Sequence, residues 1–354
     1  MVGGVTSGTR PNGLAQAAAA FRAVDWWRYK LTPPLAILWA SMLQGGVPFL
    51  AHCREALVLV VAVAACAAYV SLINDLFDRE EDARSGKPNR SAGLSRASVT
   101  LLLATVAVPG LFFLWTWRAQ PAAALAYAGS WLIFTFYSVP PVRLKVRGLA
   151  GVFADAVGST LLPCLLAAFI AANAGGRFDL QWIATVALWT LAWGLRGILW
   201  HQALDHAADS RSGVRTFAQR RGKRVARRLS HRTILPAELG ALTALLWQFG
   251  SVIPVVALLL YLGLVAARRR LWQDPRPVLL LDEYYDGLLP GALLLASAIA
   301  QPWDLVLLVP LFILFGGRPR AIAQGLWRLA QTGWYRGRAR LGSLRRRLQE
   351  DAAG

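Results

Sequence analysis

The sequence predicts an all-α, polytopic membrane protein. Three observations carry that prediction. The 354 residues are 56 % hydrophobic and only 16 % charged, against about a quarter charged in soluble domains. Apolar runs recur at roughly the 20-residue length that crosses a hydrocarbon layer. Basic residues gather in alternate connections between those runs, as they do on the cytoplasmic side of membrane proteins. A single soluble core is excluded, because such cores stop growing near roughly 250–300 residues. Low charge excludes a disordered or fibrous chain.

Taken in order, the runs cover residues 31–50, 56–74, 98–117, 121–138, 151–172, 181–203, 233–249 and 251–267. A last stretch, 287–315, is interrupted at Gln301-Pro302-Trp303-Asp304 and reads as two close-packed segments. About nine or ten helices result. Residues 1–20 lack a charged leader followed by a long apolar core, so a cleavable signal peptide is not expected. The connections alternate in character. Those at 75–97, 139–150, 204–232 and 268–286 are long and basic, whereas those near Arg54, Arg118, Arg177, Gly250 and Asp304 are short. The long set is expected in the cytoplasm, with the N-terminus and its Arg22, Arg28 and Lys30 on the same side. The tail from 317 mixes basic residues with Trp327, Leu329, Trp334, Tyr335 and Leu341, a pattern for an amphipathic helix on the membrane surface. The expected organisation is a cytoplasmic segment 1–24, a transmembrane domain 25–316 and a basic tail 317–354.

The net charge of +19, from 38 Lys and Arg against 19 Asp and Glu, belongs to this orientation signal and to an anionic membrane surface. Nucleic acid is not expected as a partner, because the basic residues are spread between apolar spans. Cys53, Cys66 and Cys164 are scattered without metal-site or disulfide spacing and read as packing residues.

Acids are scarce, and their placement is informative. The second span runs into Asn74-Asp75-Leu76-Phe77-Asp78-Arg79-Glu80-Glu81-Asp82. Asn74, Asp78 and Asp82 are four residues apart and stack on one helix face. Like charges at that spacing repel unless a cation lies between them. Oxygen donors of this kind suit a hard divalent ion such as Mg2+, which completes its shell with water and phosphate oxygens. The sixth span ends in His201-Gln202-Ala203-Leu204-Asp205-His206-Ala207-Ala208-Asp209, with a second acidic pair at the same spacing and on the same membrane side. Two such helix ends facing one cavity could clamp a diphosphate through metal ions. After the fourth span, Tyr137-Ser138-Val139-Pro140-Pro141-Val142-Arg143-Leu144-Lys145 turns the chain at its double proline and returns Arg143 and Lys145 to that side. Both cations, and Arg215 beyond the second acidic pair, read either as phosphate partners or as positive-inside flanks.

These residues resemble the UbiA superfamily of intramembrane prenyltransferases. The likeness rests on Asn74-Asp75-x-x-Asp78-x-x-x-Asp82, on Asp205-x-x-x-Asp209 with Ser212-Gly213-Val214-Arg215-Thr216 after it, and on the Tyr137–Lys145 loop, and it covers about 25 to 315. The resemblance implies a bundle of nine helices around a central cavity that opens to the cytoplasm and to lipid. It implies Mg2+ held by Asn74, Asp78, Asp82, Asp205 and Asp209, with the diphosphate bound by Lys145 and Arg143. Asp75 belongs to the motif, although on an ideal helix it points about 100° from Asn74. With Asn74 and Arg215 it completes the expected diphosphate set. His201 and Gln202 are departures from the family's second motif and leave the acceptor open.

The expected reaction is transfer of a prenyl group from a prenyl diphosphate to an aromatic or other lipophilic acceptor, in the cytoplasmic membrane with the site facing the cytoplasm. Lys145 and Arg143 would stabilise the leaving diphosphate, the Tyr137 ring would face the allylic cation, and His201, with His206 as the other candidate, would take the acceptor's proton. Asp155 and Arg196 are ionisable residues inside predicted spans, read as functional groups or as an ion pair with each other. Asp282-Glu283-Tyr284-Tyr285-Asp286 reads as a loop with interfacial tyrosines, or as lining for the acceptor. Two alternatives stand beside this reading. One is phosphoribosyl transfer to a polyprenyl phosphate by the same clamp, and the other is a transporter. Prenyl chain length and oligomeric state stay open.

Overall fold

A computed structural model describes residues 18–272, 281–315 and Trp327. The described residues are helical, with no strand among them. The chain divides into two compact units, Met1–Gly250 and Ser251–Gly354. The expected amphipathic tail, Trp327 apart, lies outside the described residues.

In the first unit α1 spans Ala23–Gln44, α2 Cys53–Ser85, α3 Arg96–Thr116, α4 Pro121–Ser138, α5 Leu149–Asn173 and α6 Leu180–Leu204. Short helices α7 His206–Ser212, α8 Phe217–Arg221 and α9 Lys223–Arg228 follow, and α10 covers Leu235–Gln248. The first span begins and ends earlier than its apolar run predicts, because Gly45-Gly46 stops it, with Gly46 at φ 67°. The region 204–232, read as a loop, is largely helical. Gly213 and Gly222, both at positive φ, cut it into turns too short for a periodic pattern to register.

Local chemistry sets the ends. Ser95 accepts the Ser98 N–H at 3.0 Å and Asp179 the Trp182 N–H at 2.8 Å, capping α3 and α6. Gly86, at φ 70°, closes α2. Prolines shape the interiors. Pro163, Pro236 and Pro290 each follow a π-helical stretch, at Val157–Leu161, Leu229–Ile234 and Leu281–Leu288. Proline has no N–H to donate and its ring crowds the carbonyl four residues back, so the preceding turn widens.

Helix packing uses small residues and hydrogen bonds, as expected where lipid removes most of the hydrophobic drive. A Cβ on Gly194 of α6 would lie 2.9 Å from the Ala156 backbone of α5, so only glycine admits this approach. Tyr127 donates to the Ala62 carbonyl at 3.1 Å, and Tyr69 shares a 2.7 Å bond with Thr135, joining α2 to α4. Arg196 of α6 pairs with Glu238 of α10, both fully buried, with one bond at 2.6 Å. Arg196 therefore pairs with Glu238 and not with Asp155. Large apolar side chains such as Leu101, Leu111, Phe112, Trp115 and Leu125 stay exposed, which is the pattern of a lipid-facing surface. Four described helices have the length and composition of a membrane span: Leu50–Ser85, Arg96–Thr116, Leu149–Asn173 and Leu180–Leu204.

The second unit holds α11 Ile253–Trp272, the π stretch Leu281–Leu288 running into α12 Leu289–Ser297, and α13 Leu308–Phe315 behind a 3-10 turn, Pro302–Leu307. The interruption at 301–304 thus separates two helical segments, as the sequence suggests. Residues 281–286 are helical and not a loop, and Tyr284 and Tyr285 are fully buried, so they are not interfacial anchors. The Tyr284 hydroxyl donates to the Pro254 carbonyl at 2.8 Å, inside the unit. Pro290 explains the widened turn that turns these residues inward.

Candidate active site

The site is built at the end of α2. Its 33 residues reach roughly 50 Å at about 1.5 Å per residue, well past an apolar layer about 30 Å thick. The last turns, Asn74 onward, therefore project beyond the apolar packing, where carboxylates can be solvated.

Helical geometry divides these residues into two sets. Asp75 and Arg79 face the connection 86–95. The Asp75 carboxylate accepts the Arg90 and Ser91 N–H groups at 3.1 and 3.2 Å and the Arg22 guanidinium at 3.2 Å. Arg79 donates to the Ser91 and Leu94 carbonyls at 2.9 and 3.0 Å. Asn89 ties the Asp75 carbonyl at 2.8 Å and the Asp82 carboxylate at 2.9 Å. Asn74, Asp78, Glu81 and Asp82 line a cavity of about 450 Å³, whose wall Asp75 also reaches.

The second acidic pair lines the same cavity. Asp205 closes α6, Asp209 lies on α7, and the Asp209 N–H donates to the Asp205 carbonyl at 2.9 Å. The elements beneath are fixed by an apolar cluster of Val152, Ile198, Leu199, Ala203, Phe217 and Ala218, which holds α8 against α5 and α6. The helix ends meet across Lys87, whose ammonium bonds Asp205 and Asp209 at 2.9 Å each. Burial pulls the Lys87 ammonium down, but its two carboxylate partners outweigh that and hold it above the usual lysine range.

Lys145 lines the cavity, and Arg143 backs the same acids without lining it. Arg143 takes φ 39° after the double proline, and Lys145 sits in the short turn Leu144–Val146. Arg143 pairs with Asp78 at 3.1 Å and Glu81 at 2.8 Å, and Lys145 pairs with Asp78 and, at 3.1 Å, with Glu81. These bonds to Glu81 and Asp78 raise the Arg143 guanidinium despite its partial burial. Tyr137 lines the cavity, and Asn74 accepts a hydrogen bond from Ser138 at the end of α4.

A second, mostly apolar cavity of about 360 Å³ adjoins the first. The two share Arg22, Asn74 and His201 in their walls. Val63, Cys66, Val70, Phe134 and Leu166 line the inner one. His201 lies 3.6 Å from Asp205, whereas His206 lines neither cavity. Arg215 is exposed and does not line the acid cavity; with Arg220 and Arg221 it lines a surface hollow that adjoins that cavity at Asp209 and Val214.

Lys87 and Glu81 escape sequence reasoning. Glu81 falls outside the four-residue spacing, and Lys87 looks like one more basic loop residue. Its placement depends on Asn89, which bonds Asp75 and Asp82 and folds the loop back, and no pattern in a single sequence exposes that.

The donor set fits Mg2+. It consists of carboxylate and amide oxygens, and among the described residues no three His, Cys, Asp or Glu side chains form a ready-made cage. Mg2+ is ordinarily held by one or two carboxylates with substrate phosphates completing the shell.

A helical fold with apolar outer faces thus carries a cavity lined by acids and cations beside a mostly apolar one. A sequence model of the UbiA prenyltransferase family matches residues 34–279, and the chain belongs to that family. It is an integral membrane protein. It is 25 % identical over 174 residues to the chloroplastic chlorophyll synthase of Arabidopsis thaliana, an alignment that covers 44 % of this chain and 45 % of that protein. The chain thus matches less than half the length of this relative. Its fold is that of a UbiA homolog from Archaeoglobus fulgidus, with a TM-score of 0.56 at 17 % identity over 80 % of this chain and 99 % of that one. The same homolog bound to GPP and Mg2+ gives a TM-score of 0.54 at 16 % identity, over 82 % and 98 % of the two chains.

Proposed function

We propose that this chain transfers a prenyl group from a prenyl diphosphate to a lipophilic acceptor, releasing diphosphate, with Mg2+ as cofactor. The observation that carries the reading is the convergence of two acidic helix ends with Lys87 and Lys145 on one polar cavity that adjoins a mostly apolar one. A prenyl diphosphate has the same two-part character.

Asn74, Asp78, Asp82, Asp205 and Asp209 would hold the metal. Bound there, Mg2+ would neutralise phosphate oxygens and the charge that grows on the leaving group. Lys145, Arg143 and Lys87 now pair with carboxylates. The three cations would stabilise the departing oxygens of a diphosphate held beside them. Asp75 keeps its loop in place, so that Lys87 is held at the cavity. The isoprenoid tail occupies the inner cavity, whose apolar walls exclude water from the allylic cation. Tyr137 presents its ring at the mouth, suited to a passing cation, and His201, at the junction of the cavities, is placed to take a proton. Arg215, outside the acid cavity, would act on the diphosphate only as it approaches.

The mouth faces the cytoplasm in this reading. Lys87, Arg90, Arg143, Arg147 and Arg220 belong to the connections at the acid end of the helices, in line with the positive-inside rule.

The test is turnover by the purified protein with Mg2+ and radiolabelled GPP in the presence of a mixed extract of membrane lipids. Labelled product and released diphosphate are expected, with both lost in Asp78→Ala and Asp209→Ala. Wild-type turnover in either variant would overturn the assignment.

A further inference from the structure

The inner cavity contains an acid that the donor chemistry leaves unused. Asp155 lies within the span Leu149–Asn173 and lines that cavity beside Lys30, Ser159 and His201. Much of the remaining wall is apolar, including Val63, Phe134 and Leu166, with Arg22, Ser71, Asn74 and Ser130 between. A carboxylate within a span is costly and is kept where it faces a cavity or a partner. Among the described residues Asp155 forms no ion pair, and its hydrogen-bond partner is the Ser159 hydroxyl at 3.5 Å, the long limit of such a bond. A carboxylate has about four acceptor positions, so most of its capacity faces the cavity. The π turn Val157–Leu161, set by Pro163, carries Ser159 back to the acid. Such widened turns cluster at functional sites. Lys30, on the same wall, offsets the charge from beyond ion-pair reach.

We infer that Asp155 recognises the acceptor, accepting the hydrogen bond of a hydroxyl on an otherwise apolar, uncharged molecule held beside the prenyl tail. The inference rests on the transferase reading above. It follows from the pairing of a carboxylate that has spare acceptor capacity with walls whose other polar groups are largely engaged: Ser71, Tyr127 and Ser130 donate to helix carbonyls, Asn74 accepts from Ser138 and Arg22 bonds Asp75. An apolar body fits the walls, and a hydroxyl answers the acid. An anionic acceptor would set a second negative charge against Asp155 in a medium that screens poorly, with Lys30 already offsetting Asp155 and Arg22 already bonded to Asp75.

The test is binding by the full-length protein in nanodiscs, read by calorimetry with three matched probes: para-propylphenol, its methyl ether para-propylanisole, and para-propylbenzoate. GPP with Mg2+ is titrated separately into each sample. Wild type is expected to bind the phenol at least about tenfold tighter than the ether, the range for a hydrogen bond to a charged group. Asp155→Asn should shrink that preference to about threefold or less, and Asp155→Leu should erase it, with GPP affinity unchanged. If Asp155→Leu loses GPP binding through misfolding, Asp155→Asn, which is nearly the same size, decides. The inference is overturned by a wild type that does not distinguish phenol from ether, by a preference that survives both substitutions, or by tightest binding of the benzoate. Failure of GPP to bind wild type while the phenol preference persists would instead defeat the transferase reading and leave the Asp155 site standing.

Discussion

Asp75 and Asp78 sit three residues apart in one motif and do different work. Asp78 faces the cavity and two cations, while Asp75 accepts two backbone N–H groups and Arg22 and so fixes the connection that carries Lys87. Two predictions belong at this scale. Lys87→Met is expected to weaken GPP binding about tenfold, the loss of one charge-assisted contact, and Lys87→Arg to keep part of it; calorimetry with Mg2+ present measures both. Asp75→Asn should weaken binding by a similar factor, and the double variant should be little worse than either single one, because both act through the same ammonium. The spacing of Asn74, Asp78 and Asp82, and the flank of Arg143 and Lys145, are readable in sequence because helix periodicity and the double proline dictate them. Lys87 is not readable, because its position depends on where a loop folds back.

Elements explain where the polar groups of the bundle go. The apolar runs mark the helices well, since membrane length fixes them. Their ends follow Gly45-Gly46, Ser95, Gly86 and Asp179, whose capping roles are local. Long-range pairing is not local. Arg196 and Glu238 are 42 residues apart, and nothing in either neighbourhood identifies the partner. The short helices between 206 and 228 escape notice because each is under two turns. Glu238→Leu alone leaves a buried guanidinium uncompensated and is expected to cost about 3–5 kcal/mol, read as a lowered thermal midpoint in detergent. Replacing Arg196 with Met as well should restore most of it. No recovery in the pair would mean that the ion pair does more than compensate charge.

The first unit sets a cavity of charged groups beside a mostly apolar one, and the chain that carries them belongs to the UbiA prenyltransferase family. The resemblance was visible in three motifs in order, each weak by itself. The shared wall of Arg22, Asn74 and His201, which joins the two cavities, required the fold. Chelation should remove product formation with GPP, and added Mg2+ should restore it, since Lys87, Lys145 and Arg143, already paired with carboxylates, leave too little positive charge to neutralise a diphosphate. The central claim is that the ends of α2 and of the α6–α7 pair grip one diphosphate together. A double-mutant cycle on GPP affinity at saturating Mg2+, with Asp78→Asn, Asp209→Asn and the combination, tests it most directly. Each single change should cost at least about tenfold, and the pair should cost far less than the product of the two. Losses that simply multiply, or wild-type affinity in either single variant, would contradict it.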